Sequence, residues 1–167
     1  MRHYRADMRE FVTAISGLGT KLAVILVQLP PSLSFEPAVA RRFFKSLVEL
    51  RIARIACEPR HPSWFTTEAA DQLLSLLGVA RVAADPPRGE RGHLPGGATS
   101  LIYYRLHGSP RVYFSTYDAD FMTGLATDLR RLSRPERNLW CVFDNTAAHG
   151  AWHNAEQLQT LLKIQPG

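Results

Sequence analysis

The sequence predicts an α/β fold built on parallel strands. Five apolar, β-branched runs each end in a polar or charged residue, and each is followed by a loop and a stretch with helical periodicity. The runs are AVILVQ ending at Gln28, IARIACE at Glu58, VARVAAD at Asp85, IYYRLHG near His107, and WCVFDN at Asn145. Strand and helix in strict alternation give a parallel sheet, because the helix carries the chain back to the starting edge. In such folds the carboxyl ends of the strands line the binding face, so these five endings point to one shared site. Two architectures fit: about five parallel β/α units of a partial (β/α)8 barrel, or an open five-stranded doubly wound sheet. A full barrel typically needs ~250 residues, whereas a five-stranded open sheet is complete within the 167 present here.

The helices follow from caps and spacing. Residues 5–16 read as a helix closed by Gly17 and Gly19 ahead of the first strand. Ser34 is the expected cap of the next, with Glu36 and Pro37 in its first turn and Phe43, Phe44, Leu47 and Leu50 on its apolar face. Thr66 or Thr67 opens the third, with Leu73, Leu74 and Leu77 inward and Gly78 as its left-handed stop. After Asp118, Phe121, Leu125, Leu129 and Leu132 recur at helical spacing. Asn154 is the expected cap of the last helix, which packs through Leu158, Leu161 and Leu162. The long connection at 86–100, rich in Gly and Pro, reads as a flexible loop beside the strand ends.

Composition places the chain among folded proteins: 46% hydrophobic and 21% charged residues exclude disorder, and one domain over 1–167 is expected. No apolar run approaches the ~18 residues of a membrane span. The start, MRHYRADMRE, has no apolar segment of a secretory signal, so a cytoplasmic location is expected. Cys57 and Cys141 lie in apolar strands without ligand spacing and read as buried thiols. The net charge of +5 comes from 20 basic residues, all but three of them Arg. Many fall in helices, where cations in last turns complement the helix dipole. With no nucleic-acid motif beside them, nucleic acid is only a secondary candidate partner.

The chemistry lies at the strand ends. Glu58, Arg60 and His61 fall within four residues, and a carboxylate near an imidazole is the raw material of acid/base work. An ion pair between Arg60 and Glu58 that ties down the loop is the competing reading. In YYRLHG, Arg105 and His107 share one face, and Tyr104 and Leu106 the other. Arg105 can hold a phosphate or carboxylate with His107 as proton donor or acceptor, or form an internal salt bridge to Glu58 or Asp85. Asp85 is expected between Glu58 and His107, making one cluster of catalytic candidates: Glu58, Asp85 and His107.

Arg60, His61, Arg105, Asn145, Trp64 and Tyr104 are the substrate-binding candidates. Asp144 and Asn145 alternate, so only one faces the interior, and helix capping competes for either. Gln28 reads as structural, and Trp64, Tyr103, Tyr104, Tyr113, Tyr117 and Trp152 supply aromatic surface. No metal site is assigned, although Glu58, His61, His107 and Asp85 are the residues from which one would be built. Which cofactor serves the protein is unknown from the sequence. P-loop, GxGxxG and nucleophile-elbow motifs are absent, which removes Walker-type hydrolysis and serine-hydrolase chemistry.

LVQLPPS at 26–32, EPRHPSW at 58–64, YYRLHG at 103–108 and FDNTAAHGAWHNA at 143–155 resemble, in order and spacing, the YecE-like family, domain of unknown function 72. The resemblance implies a TIM barrel of unestablished activity. The family's opening third, with its Gly-Trp and Phe-Tyr-Pro motifs, has no counterpart ahead of Met1, so an N-terminally truncated domain with five of eight strands is expected. Pro59 stands where the family usually has an aromatic residue, and Asp144 where Asn is common. Two functional classes follow: an enzyme acting on a small phosphorylated or anionic substrate, or a non-catalytic remnant or binding module. Exposed sheet edges would favour self-association.

Overall fold

The computed structural model describes residues 4–163; residues 1–3, part of the charged start discussed above, and 164–167 lie outside the described residues. The chain opens with α1 (Tyr4–Ile15), which tightens into a 3₁₀ segment, Ser16–Lys21, and turns through Gly19 at a φ of 49°. Then follow β1 (Val24–Gln28), α2 (Pro37–Val48), β2 (Arg54–Glu58), α3 (Ala69–Leu76), β3 (Ala80–Arg81), β4 (Ala83–Asp85), β5 (Gly96–Gly97), β6 (Leu101–Leu106), α4 (Ala119–Leu132), β7 (Asn138–Phe143) and α5 (Gly150–Lys163).

Local chemistry accounts for most boundaries. Asp118 caps α4 by accepting from Phe121 N at 2.9 Å, Thr67 accepts from Ala69 N at 3.3 Å before α3, and Gly78 follows α3 at a φ of 73°. Two expected caps are corrected. Ser34 does not cap α2; Pro37, with its fixed φ, starts the helix after an extended Glu36 that makes no side-chain cap. Asn154 does not cap α5, which begins at Gly150. Its buried amide is occupied instead by the backbone of Tyr117, accepting from Tyr117 N at 3.1 Å and donating to Tyr117 O at 3.0 Å.

The third predicted strand is one run of chain in two pieces. Its first half, β3, pairs with β2, and its second half, β4, pairs with β6. Val82 N still donates to Cys57 O at 2.9 Å, but Ala84 N donates to Gly92 O, also at 2.9 Å. The 86–100 loop therefore folds back and takes the place of β2 beside β4. Part of that loop forms β5, antiparallel to β3. Two glycines give no periodic signal, so β5 was invisible in the sequence; Gly97, at a φ of 64°, comes so close that a Cβ would lie 2.4 Å from Val79 O.

With β3 and β4 taken as one position, the parallel strands lie side by side in chain order, β1, β2, β3/β4, β6, β7. A doubly wound sheet reverses its strand order and covers both faces with helices. Here no reversal occurs, and the helices pack on one face. Ile55, Cys57 and Val79 meet Phe44 and Leu47 of α2 and Leu73 and Leu74 of α3. Ile102, Tyr104 and Leu106 meet Met122, Leu125 and Leu129 of α4 and Leu158 of α5. The opposite face holds a cluster of strand residues alone: Ala56, Ala80, Val82, Ala84, Leu101 and Tyr103, with Val24, Leu26 and Val142 at its margin. The result is an open α/β arc of five parallel strand positions, with no closed barrel among the described residues. Cys57 is buried as expected, whereas Cys141 is half-buried, because β7 is covered on fewer sides. No helix among the described residues is long and apolar enough to cross a membrane.

One interaction on the helix side escaped the sequence reading. Arg81 is only 2% exposed, and its guanidinium grips Asp71 of α3 through Nε to Oδ1 at 2.6 Å and Nη2 to Oδ2 at 3.1 Å. A third donor reaches Arg91 O in the long loop at 3.3 Å, and the Phe65 ring lies 5.0 Å away. A buried guanidinium stripped of its carboxylate is strongly unfavourable. Asp71→Ala is expected to lower unfolding free energy in urea by about 3 kcal/mol, whereas Asp128→Ala, removing an exposed pair with Arg131, should cost no more than about 0.5 kcal/mol. Equal midpoints for the two variants would show that Arg81 does not hold α3 and the loop to the sheet.

Candidate functional site

Alternation along the strands places Gln28, Glu58, Arg105, His107 and Asp144 on the helix-free face, at its carboxyl edge. Parallel pairing sets Gln28 beside Glu58 and Arg105 beside Val142. Ala84 stands opposite Arg105 on the intervening strand. Its methyl group fills little space, so Glu58 reaches over the β4 position to β6.

The side chains close a ring of polar contacts around two carboxylates. Glu58 Oε2 accepts from Arg105 Nη1 at 2.8 Å, and Arg105 Nη2 donates to Asp144 Oδ2 at 2.9 Å. Asp144 Oδ2 lies 3.0 Å from His107 Nδ1, and His107 Nε2 lies 3.1 Å from Glu58 Oε1. Arg60 adds a second guanidinium from beyond β2, with Nη2 2.5 Å from Glu58 Oε1 and 2.9 Å from His107 Nε2. Gln28 Oε1 accepts from Arg105 Nη1 at 2.5 Å, which matches its structural reading. The competing readings of Arg60 and Arg105 as ion-pair partners of Glu58 thus describe real contacts, and all four groups share one rim.

Glu58 and His107 are each 1% exposed. Burial pushes the Glu58 carboxyl upward, but the hydrogen bonds from His107 and Arg105 and the charges of Arg60 and Arg105 outweigh it and hold the carboxyl below its ordinary value. For Arg105, burial works against the cation, but the hydrogen bond and charge of Glu58 with the charge of Asp144 outweigh it and raise its value. Among the described residues of this rim, two buried nitrogens have no hydrogen-bond partner: Arg60 Nε and His107 Nδ1. The latter is within ion-pair distance of Asp144 but off the line a hydrogen bond requires.

Several candidates lie elsewhere. Asp85 does not join Glu58 and His107: alternation turns it to the helix side, where its Oδ2 accepts from Tyr117 Oη at 2.8 Å. Burial, and then that hydrogen bond, push the Tyr117 phenol well up. Asp144 takes the expected place of Asp85. Asn145 is turned away and fully buried, donating to Ser115 O at 3.0 Å and Asn154 Oδ1 at 3.1 Å. Tyr104 also faces the helices, where burial raises its phenol to about 12.

Trp64 is 3% exposed and donates through Nε1 to Leu33 O at 3.1 Å. It lines an apolar groove of about 210 Å³ with Leu29, Val39 and Phe43. His61 caps its own 3₁₀ turn, Pro62–Trp64, by accepting from Ser63 N at 3.2 Å. Among the described residues no three His, Cys, Asp or Glu side chains form a cluster that could hold a metal ion; Glu58 and Asp144 approach different nitrogens of His107. Alternation in the sequence allowed only one of Asp144 and Asn145 to face the interior, and the strand register chose Asp144 over the expected Asn145.

Parallel strands in chain order, helices on one face and polar groups gathered at the carboxyl edge define an open α/β protein with an ion-paired rim site. The chain belongs to the family described as "Protein of unknown function DUF72", which it matches over residues 1–167. It is similar to the crystal structure of a DUF72 family protein from Thermotoga maritima MSB8, with 26% identity, a TM-score of 0.76, and 95% of this chain and 65% of that chain covered. Two structures of a DUF72 family protein from Enterococcus faecalis V583 share the fold: one has 17% identity and a TM-score of 0.75, covering 94% of this chain and 65% of that one; the other has 20% identity and a TM-score of 0.75, covering 93% and 67%. The chain thus spans about 65% of the length of the first of these relatives. None of the curated proteins is significantly similar to it.

The depressed carboxyl of Glu58 makes stability depend on pH. Because the folded state favours the carboxylate more than the unfolded chain does, this contribution is complete above the unfolded value of ~4.3 and is lost as pH falls through the lower folded value. Glu58→Gln should be less stable at pH 7 by about 3 kcal/mol, having left two guanidiniums short of a partner, and its unfolding free energy should fall less steeply on acidification. Urea titrations between pH 7 and pH 3 read both effects, and parallel slopes for the two proteins would refute the linkage.

Proposed function

We propose that the rim cluster is a proton-transfer site for a small anionic or phosphorylated substrate, with Glu58 as the base, His107 as its proton partner, and Arg60 and Arg105 positioning the anion. The observation that carries this reading is the buried contact of Glu58 with His107 at 3.1 Å, at the carboxyl ends of parallel strands. A carboxylate and an imidazole in contact exchange a proton readily, and a neighbouring guanidinium with an unused donor is suited to bind an oxyanion. Arg60 Nε is such a donor. Asp85, Tyr104 and Asn145 leave the proposed machinery because they face the helices. A second reading, a non-catalytic binding module, is favoured by the internal commitment of Arg105 to Gln28, Glu58 and Asp144.

Inorganic phosphate is the probe that tests the anion site. In calorimetry, Arg60→Ala should weaken phosphate binding about tenfold, the scale of one charge-assisted hydrogen bond, while Arg131→Ala, altering an exposed helix arginine, should leave it unchanged. Identical heats for the wild type and both variants would remove the anion site.

The same reading bears on assembly. Among the described residues β1 and β7 each pair on one side only, and Trp140 is 40% exposed. Unpaired edges and exposed aromatic surface promote association between chains. Light scattering of the 167-residue polypeptide is expected to give a mass above the 18.7 kDa of one chain. A monomer with one sharp thermal transition would refute this.

A further inference from the structure

We propose that the cleft between β4, β6 and α4, on the opposite face of the sheet from the rim cluster, is a binding site for a small organic cation: an amine carried on an apolar body. The site is independent of the proton-transfer reading and uses Asp85 and Tyr104, which the rim leaves out.

The cleft follows from the connectivity. Among the described residues, β1 and β2, β2 and β3, and β6 and β7 are each joined through a helix, whereas β4 reaches β6 through the 86–100 loop and β5. The strip over β4 that a crossover helix would cover is left to that loop. A cavity of about 270 Å³ stays open there, with His93 of the loop in its lining and Ala83, Leu106 and Leu125 as apolar walls. From α4 come Gly124 and Asp128. Glycine is the poorest helix former after proline, yet Gly124 sits in the middle of α4, where a Cβ would meet nothing within 4 Å beyond the helix's own backbone. No packing contact demands this glycine, and its missing side chain gives the cleft its width.

The polar groups in the lining state what the occupant must supply. Tyr104 is 7% exposed, and its hydroxyl has no hydrogen-bond partner among the described residues, although buried hydroxyls are normally paired. Burial, and then the charge of Asp128, raise its phenol to about 12, so it keeps its proton in the neutral range. Asp85 accepts from Tyr117 Oη on Oδ2 at 2.8 Å, which leaves Oδ1 without a donor among the described residues. Asp128 Oδ1 meets Arg131 Nη2 at 3.0 Å, but both side chains are more than half exposed, so that pair holds the carboxylate only weakly. Carboxylates only accept, and a phenol oxygen accepts as well as donates. An ammonium offers three N–H donors and the opposite charge, while the apolar walls take its hydrocarbon part, the usual division of labour in a ligand pocket. An anion would be repelled by both carboxylates.

Benzylammonium is the probe, with benzyl alcohol as its uncharged counterpart and benzoate as its anionic one. In calorimetry the wild type should bind benzylammonium at least about tenfold more tightly than benzyl alcohol, the scale of one charge-assisted hydrogen bond, and should not bind benzoate. Gly124→Leu, which fills the cleft, should abolish binding, and Asp128→Asn should weaken it about threefold. Tyr104→Phe should weaken it about tenfold and leave the urea midpoint unchanged, because the hydroxyl it removes is unpaired in the free protein. No heat with benzylammonium, binding of benzyl alcohol or benzoate as tight as that of the amine, or full binding in Gly124→Leu would each overturn the site. Should Gly124→Leu fail to fold, Tyr104→Phe decides: wild-type affinity for benzylammonium, or a lowered urea midpoint, overturns the proposal.

Discussion

A carboxylate buried as deeply as Glu58 costs several kcal/mol unless its charge is met, and the carboxyl edge of this sheet is arranged around meeting it. Arg105 comes from β6, Arg60 from the turn after β2, and His107 from the end of β6. Asp144, from the end of β7, balances the surplus of positive charge and binds Arg105 and His107 to one another's neighbour. Three strands are thereby fastened at one end by side chains in addition to their backbone hydrogen bonds. The cluster works as a unit, so removing one member strands the others.

The wall that carries the ring is made of small residues. Ala56, Ala80 and Ala84 occupy the strand positions beneath and between the charged groups, and larger side chains there would hold Glu58 away from His107. The split of the third strand serves the same end. By turning from β2 to Gly92, the chain beyond Val82 keeps Ala84 on the inner face and sends Asp85 to Tyr117 on the helix side. Two polar systems result, one on each face, separated by a strand: the ion-paired rim, and the buried network of Asp85, Tyr117, Asn145 and Asn154 that anchors α5 and the loop before α4.

The positive charge is spent locally in this architecture. Arg81 is locked to Asp71, Arg91 to Glu68, Arg105 to Glu58 and Asp144, and Arg137 to Leu132 O at the end of α4. These guanidiniums close helices, loops and strands onto one another. Arg60 differs in keeping an unused donor beside the buried carboxylate.

Strand and helix existence was legible in the sequence because hydrophobic period and punctuation are local properties: the five strand runs, the helix after Asp118 and the stop at Gly78 can all be read within a few residues. Alternation also placed Arg105 and His107 together, since both lie on one strand. What the sequence could not supply was relative register between strands and the parity of each run at its end. Those are fixed by contacts between segments far apart in the chain, and they decided that Asp144 rather than Asn145, and Ala84 rather than Asp85, face the interior. The choice between an open doubly wound sheet and a barrel arc was likewise tertiary, because both architectures share the same local alternation and differ only in which strands become neighbours and which face the helices cover.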